Sequence, residues 1–162
     1  MKKAFCLLAL TAVAAAAPAQ AFDATCELYV KAAEKTAEQP ARQTISESDG
    51  IRLEAIIVDG VMYSRDSPTA KWRKAHSGFG AIERSMVADI RKGSSKIDNC
   101  RKLGSETVDG VATTVVEYRL TIPGAEPGTS KAYIGQDGLI YAQAAGKVRI
   151  VNRYSGVTVP KL

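Results

Sequence analysis

The chain has 162 residues, a formal net charge of +5, three cysteines and one histidine. A chain of this length supports one hydrophobic core rather than two marginal ones. The lone His76 rules out histidine-rich metal sites, and a charge this mild singles out no polyanionic partner.

Met1 to Ala21 carries Lys2 and Lys3, an apolar run from Ala4 to Ala17 and the small residues Ala19 and Ala21 around Gln20. That is the composition of a secretory signal peptide, residues 1–21. The run is too short to cross a bilayer. Cys6 lies too early for a lipid anchor, and Cys26 follows Asp23-Ala24-Thr25 rather than a small apolar lead-in. The expectation is a soluble periplasmic protein of the bacterial envelope, with residues 22–162 forming a single domain. Without Lys2 and Lys3 the charge of +5 falls to +3, and without Cys6 two cysteines remain. In an oxidising compartment an even pair reads as one disulfide, Cys26 to Cys100. Closing so long a loop contributes on the order of 4 kcal/mol by restricting the unfolded chain.

Asp23 to Glu38 places Cys26, Tyr29, Val30, Ala33 and Ala37 at helical spacing, and Pro40 ends the pattern. Ala41 to Ser48 reads as a polar edge strand. Ile51, Leu53, Ala55 and Ile57 then alternate with Arg52, Glu54, Ile56 and Val58, the period of a strand with one buried face. Val61 to Arg65 returns as a short partner, and a loop containing Pro68 leads to Trp72. A second helix is predicted from Gly80 or Ala81 to Lys92, with Ile82, Met86 and Ile90 on one face and Gly93 as its C-terminal cap. Strand patterning resumes after Cys100. Val111 to Ile122 is the longest predicted strand, with Val116, Tyr118, Leu120 and Ile122 on one side. Ser130 to Gly135, Leu139 to Ala144 and Lys147 to Tyr154 follow. The dipeptides Asp49-Gly50, Asp59-Gly60, Asp109-Gly110 and Asp137-Gly138 read as type I′ hairpin turns, whose two central residues both need positive φ.

The sum is an α+β domain: a curved antiparallel β-sheet of about 7–8 strands covered by two helices. A sheet this wide coils by its own twist. Its concave side, carrying Leu53, Ile57, Tyr118, Leu120 and Tyr141, either packs against the helices or encloses an apolar ligand. Trp72 has the same two readings, a ring at the cavity mouth or a core plug near Tyr63.

Catalytic and cofactor motifs are missing. Ser77 beside His76 is no relay, and no Gly-x-Ser-x-Gly elbow exists. One histidine and a disulfide pair cannot furnish a zinc site, and no Asp-x-Asp-x-Asp-Gly calcium loop is present. No catalytic residue, metal or cofactor is therefore expected. Lys71 to Lys102 holds nine Lys/Arg against Glu83, Asp89 and Asp98. Such a segment is either a solvated face or a transient contact for an anionic membrane surface or acidic partner. Nucleic acid is excluded by export and by the lack of interleaved aromatic residues.

The progression Ile56-Ile57-Val58-Asp59-Gly60-Val61-Met62-Tyr63, Trp72-Arg73-Lys74, Cys100-Arg101-Lys102-Leu103-Gly104 and Val108-Asp109-Gly110 resembles small exported members of the LolA-like superfamily. Tyr133-Ile134-Gly135-Gln136-Asp137-Gly138-Leu139 and the closing Tyr154-Ser155-Gly156-Val157-Thr158-Val159-Pro160 are similar to that family's endings. Ile140 stands where the family usually has Pro, and Tyr133 where Trp is common. The resemblance implies an incomplete β-barrel curled around a hydrophobic cavity and lidded by helices, as in periplasmic carriers of lipoproteins. Its members also include lipid-binding lipoproteins and sensory domains that bind stress-regulator proteins. Two functions follow as expectations: a non-enzymatic carrier for an apolar small molecule or lipidated protein, or an envelope protein-protein interaction module without a cavity.

Overall fold

The computed structural model describes residues 22–162; the predicted signal peptide lies outside the described residues. Helix α1 (Ala24–Ala37) starts where Asp23 turns its carboxylate back onto the backbone N–H groups of Thr25 and Cys26, at 2.8 and 2.9 Å. That cap satisfies donors that the first helical turn leaves free. Four strands follow: β1 (Ala41–Ser48), β2 (Ile51–Val58), β3 (Val61–Arg65) and β4 (Arg73–Ser77). After α2 (Phe79–Arg91) come β5 (Lys96–Val108), β6 (Val111–Thr121), β7 (Gly128–Gly135), β8 (Ile140–Ala145) and β9 (Val148–Arg153).

The strands form one antiparallel nine-stranded sheet in the order β4-β3-β2-β1-β9-β8-β7-β6-β5, curved but not closed. Two meanders are joined along the β1–β9 seam, where Thr44 faces Asn152 and Ser46 faces Ile150. β4 was not expected as a strand. Its residues, Arg73 to Ser77, are all exposed, so the edge carries no apolar alternation to read. β5 is longer than predicted, and Cys100 lies within it.

Three of the four Asp-Gly pairs make the expected turn, with φ of 48° and 80° at Asp49-Gly50, 49° and 75° at Asp59-Gly60, and 47° and 84° at Asp109-Gly110. The fourth differs. Only Gly138 has positive φ, and its N–H donates to the Gly135 carbonyl at 2.9 Å. The Asp137 carboxylate instead accepts from the Leu139 N–H at 3.0 Å and the Tyr141 hydroxyl at 2.8 Å. Those side-chain bonds select a looser hairpin ending in a left-handed glycine.

Both helices lie on one face of the sheet. Cys26, Tyr29 and Val30 of α1 pack with Ile90 of α2 and with Ile97, Val116, Tyr118, Ile134 and Ile140. Tyr29 stacks on Tyr118 with ring centroids 4.0 Å apart. The Cys26–Cys100 disulfide pins the start of α1 to β5 across a separation of 74 residues. The opposite face has a smaller cluster of Val108, Val115, Tyr133 and Ala142.

The order of strands places α2. It leaves β4 at one edge of the sheet and delivers the chain to β5 at the other. The helix therefore straps the covered face from edge to edge.

Candidate functional site

The two helices are held to the sheet unequally. α1 is fixed along its length: by the disulfide at its start, by the Tyr29–Tyr118 stack, and at its end by Thr36, whose hydroxyl accepts from the Ile140 N–H at 3.0 Å. α2 has fewer ties. Its first turn rests on the β2–β3 turn, where the Gly80 N–H meets the Gly60 carbonyl at 3.4 Å. A Cβ on Gly80 would stand 3.2 Å from the Gly60 Cα, so glycine permits this approach. Further along, Glu83 pairs with Arg42 of β1, whose guanidinium also donates to the Thr36 carbonyl at 3.1 Å. At the far end Arg91 binds both Glu34 oxygens at 2.7 and 2.8 Å and Glu27 at 2.6 Å. Hydrogen bonding to Arg91 holds both carboxyls below their ordinary range, and Arg91 is shifted upward in return.

The apolar stripe of α2 is consequently only partly seated. Ile90 is 5% exposed, whereas Ile82 and Met86 are 43% and 54% exposed. Beneath the helix lies a cavity of about 230 Å³, walled by Tyr29, Ala33 and Ala37 of α1, Met86, Val87 and Ile90 of α2, and Leu120, Ile122 and Ile140 of the sheet. Thr36, Glu83, Asp89, Ser95 and Gln143 complete the lining. A second depression, walled by Tyr118, Ser130, Ala144, Val148 and Ile150, continues along the same face. Gln143 lines both, and its amide donates to the Tyr118 hydroxyl at 3.4 Å. Gln143 and the stacked Tyr29 and Tyr118 rings thus stand between the two depressions. Burial raises the pKa of both Tyr29 and Tyr118, so neither ring brings a charge to either depression at ordinary pH.

The six residues expected around one cavity are distributed. Leu120 lines the main cavity, and Tyr118 lines the second depression. Ile57 is buried on β2 opposite Arg42 and Met62. Leu53, on the same face, is 47% exposed because neither helix reaches that end of the strand. Trp72 precedes β4, half-buried, with the Arg65 guanidinium 4.6 Å from its ring. Arg65 reaches Glu54, which alternates with Leu53, so this stack lies on the uncovered face. Trp72 therefore does not line the cavity; it lies on the same uncovered face as Tyr63, outside the main core. A break in register between β7 and β8 leaves Tyr141 between the paired residues Ile140 and Ala142. Its ring lies over Gly135, beside the Tyr133 cluster, rather than with Leu120.

Met86, Val87, Tyr29, Ala33 and Gln143 were not named as cavity residues from sequence. The helical stripes Ile82-Met86-Ile90 and Tyr29-Ala33-Ala37 were the available signal, since a helix covering a curved sheet supplies the roof of any space between them. The cysteine pair is as expected. It belongs to the one group of metal-ligand atoms among the described residues, with Asp23, but its sulfurs are bonded to each other and Asp23 caps α1.

The basic segment does not form one face. Lys71 to Lys102 runs along β4, across α2 and into β5, hence from one edge of the sheet to the other. Arg73 pairs with Asp66, Arg91 with Glu27 and Glu34, Lys96 with Asp98, and Arg101 with Glu117. His76 is exposed on β4 beside Phe79. No described helix is long and apolar enough to cross a membrane.

No family model matches the sequence, and no curated protein matches it. Solved structures do. The chain is similar to lipoprotein LppX of Mycobacterium tuberculosis, with a TM-score of 0.54 at 16% identity over 85% of this chain and 100% of that chain. It is similar to LprF of Mycobacterium bovis, with a TM-score of 0.51 at 10% identity over 83% of this chain and 95% of that chain. MucB aligns over 85% of this chain and 61% of that one, at 11% identity and a TM-score of 0.49. The open nine-stranded sheet with two helices on one face thus gives this chain a fold similar to that of LppX and LprF, over nearly the whole length of both.

Proposed function

We propose that this chain is a non-enzymatic binding protein of the bacterial periplasm, which holds an apolar ligand between the sheet and α2. Residues 1–21 act as its signal peptide and residues 22–162 as its single domain. The ligand class is a lipid acyl chain or a lipidated peptide. The observation that carries the reading is the unfilled apolar space under a helix whose own stripe is half in solvent. A fully packed core would bury Met86, and it does not. The fold shared with the lipoprotein LppX supports the same reading.

The cavity of about 230 Å³ is smaller than the ~300–1,000 Å³ of most small-molecule sites. It takes a segment of a chain as it stands, and more when α2 moves outward. Each CH₂ buried contributes about 0.8 kcal/mol, so several methylenes offset a modest rearrangement. The test is native mass spectrometry and organic extraction of protein purified from an envelope fraction, followed by titration with a neutral apolar fluorophore. Acyl species in the extract and saturable fluorophore binding are expected. Empty extracts together with no fluorophore binding, even after mild loosening with urea, would sink the reading.

A second reading, a protein-interaction module, is favoured by one feature. β5 is a free edge whose residues from Arg101 to Thr107 are all exposed, open to an added strand. Crosslinking at this edge in envelope extracts, with recovery of one protein partner and no acyl species, would select it over the carrier.

A further inference from the structure

The cavity has an uneven lining. Most of it is apolar, yet the carboxyl groups on its wall are those of Glu83 and Asp89, both on α2. No Lys or Arg lines it among the described residues. The nearby Arg42 is already engaged, donating to Oε1 of Glu83 and to the Thr36 carbonyl. Oε2 of Glu83 is shielded from solvent and has no hydrogen-bond partner.

A carboxylate oxygen removed from water without a donor is an unfavourable arrangement that a suitable donor relieves. An anionic group entering the same space would meet two carboxylates and no unpaired cation, in surroundings that screen charge poorly. Resting on the reading of the cavity as a ligand site, we propose that it selects the head of its ligand as well as the chain. The ligand is an apolar chain ending in an N–H or O–H donor, neutral or cationic, rather than a free fatty acid or a phosphate monoester. Glu83 is the specificity-determining residue, accepting from that donor through Oε2. Outward movement of α2, which widens the cavity for a longer chain, also uncovers this oxygen, so the chain and the head are accommodated by one displacement.

The net charge works against an artefact. Without the signal segment the chain is positive overall, from +5 less two lysines, so unspecific attraction favours an anionic amphiphile over a cationic one.

The experiment is displacement of bound N-phenyl-1-naphthylamine from the purified, disulfide-intact protein at neutral pH. The competitors are dodecylamine, dodecanol and dodecanoate, the alcohol below its solubility limit and the two ionic amphiphiles below their micelle thresholds. The amine and the alcohol are expected to compete about tenfold more strongly than the acid, the ratio given by one good hydrogen bond to a charged acceptor. In Glu83→Gln the advantage of the amine should shrink, while the alcohol, still offered an amide oxygen, keeps most of its own. If loss of the Arg42 counter-charge unfolds that variant, the ranking of the three ligands on the unaltered protein still decides. Equal or tighter binding of dodecanoate would show that the head stays in solvent, overturning the inference and leaving the apolar-ligand reading intact. Failure of the fluorophore to bind at all would overturn both.

Discussion

Arg42 is 5% exposed and touches both helices, through the Thr36 carbonyl of α1 and the carboxylate of Glu83 on α2. Its removal leaves Glu83 without its counter-charge and the end of α1 without a donor. Arg42→Met is expected to cost about 3 kcal/mol, the order seen when one partner of a buried pair is deleted, read as a lower urea midpoint. Unchanged stability would mean that the pair adds nothing net. Gln143 makes a different prediction. Gln143→Ala removes the bridge to Tyr118 and part of what stands between the two depressions, so affinity in a series of primary alcohols should go on rising with chain length beyond the point at which the unaltered protein levels off. A gain of about 0.8 kcal/mol per further methylene is the upper expectation, measured by fluorophore displacement. Residues of this kind were the least legible part of the sequence. Trp72 and Tyr141 are large and aromatic, which suits a cavity, but a cation–π stack on Arg65 and a register break at β8 carry them elsewhere. Alternation assigns a face only while the register is unbroken, and nothing in the local composition marks the break.

The hold on α2 depends on Arg91 and two acidic residues of α1, which gives it a pH dependence of definite sign. Hydrogen bonds to Arg91 lower the pKa of Glu27 and Glu34 in the folded state from an ordinary 4.5. Their contribution is present above the unfolded value and is lost as pH falls through the lowered folded values. The groups are about one-third exposed, so the clamp contributes no more than about 1 kcal/mol. Acidification below pH 4.5 should therefore increase binding of a neutral apolar fluorophore, reversibly and before global unfolding. In Arg91→Met binding should be raised at neutral pH and respond less to acid; an unaltered pH profile in that variant would discount the clamp. Both helices were readable from their stripes and terminators, because a 3.6-residue period survives partial exposure. β4 was not, because a strand with both faces in solvent has no period to detect.

Across the whole molecule, the disulfide ties the first helix to the fifth strand over 74 residues. Replacing both cysteines, Cys26→Ser with Cys100→Ser, should lower stability by about 4 kcal/mol if the effect resides in the unfolded chain. Calorimetry of the variant beside the native protein measures it, and a loss under ~1 kcal/mol would place the bond's role elsewhere. The α+β class, the antiparallel sheet, the two helices and the cysteine pairing were all legible, since turn chemistry and cysteine count act locally or by number. The strand order was not: two meanders can associate in several ways, and the β1–β9 seam is made by residues more than 100 positions apart. That seam puts β4 and β5 at opposite edges and makes α2 a strap fastened at both ends. A strap so fastened can bow but cannot swing clear, so the ligand we propose would enter by threading a free end beneath it. Thickness would then count for more than length: slender chains and flat aromatic rings would slide beneath a bowed helix, and globular or heavily branched groups would not. The topology is in this sense a filter on molecular shape that acts before any contact chemistry.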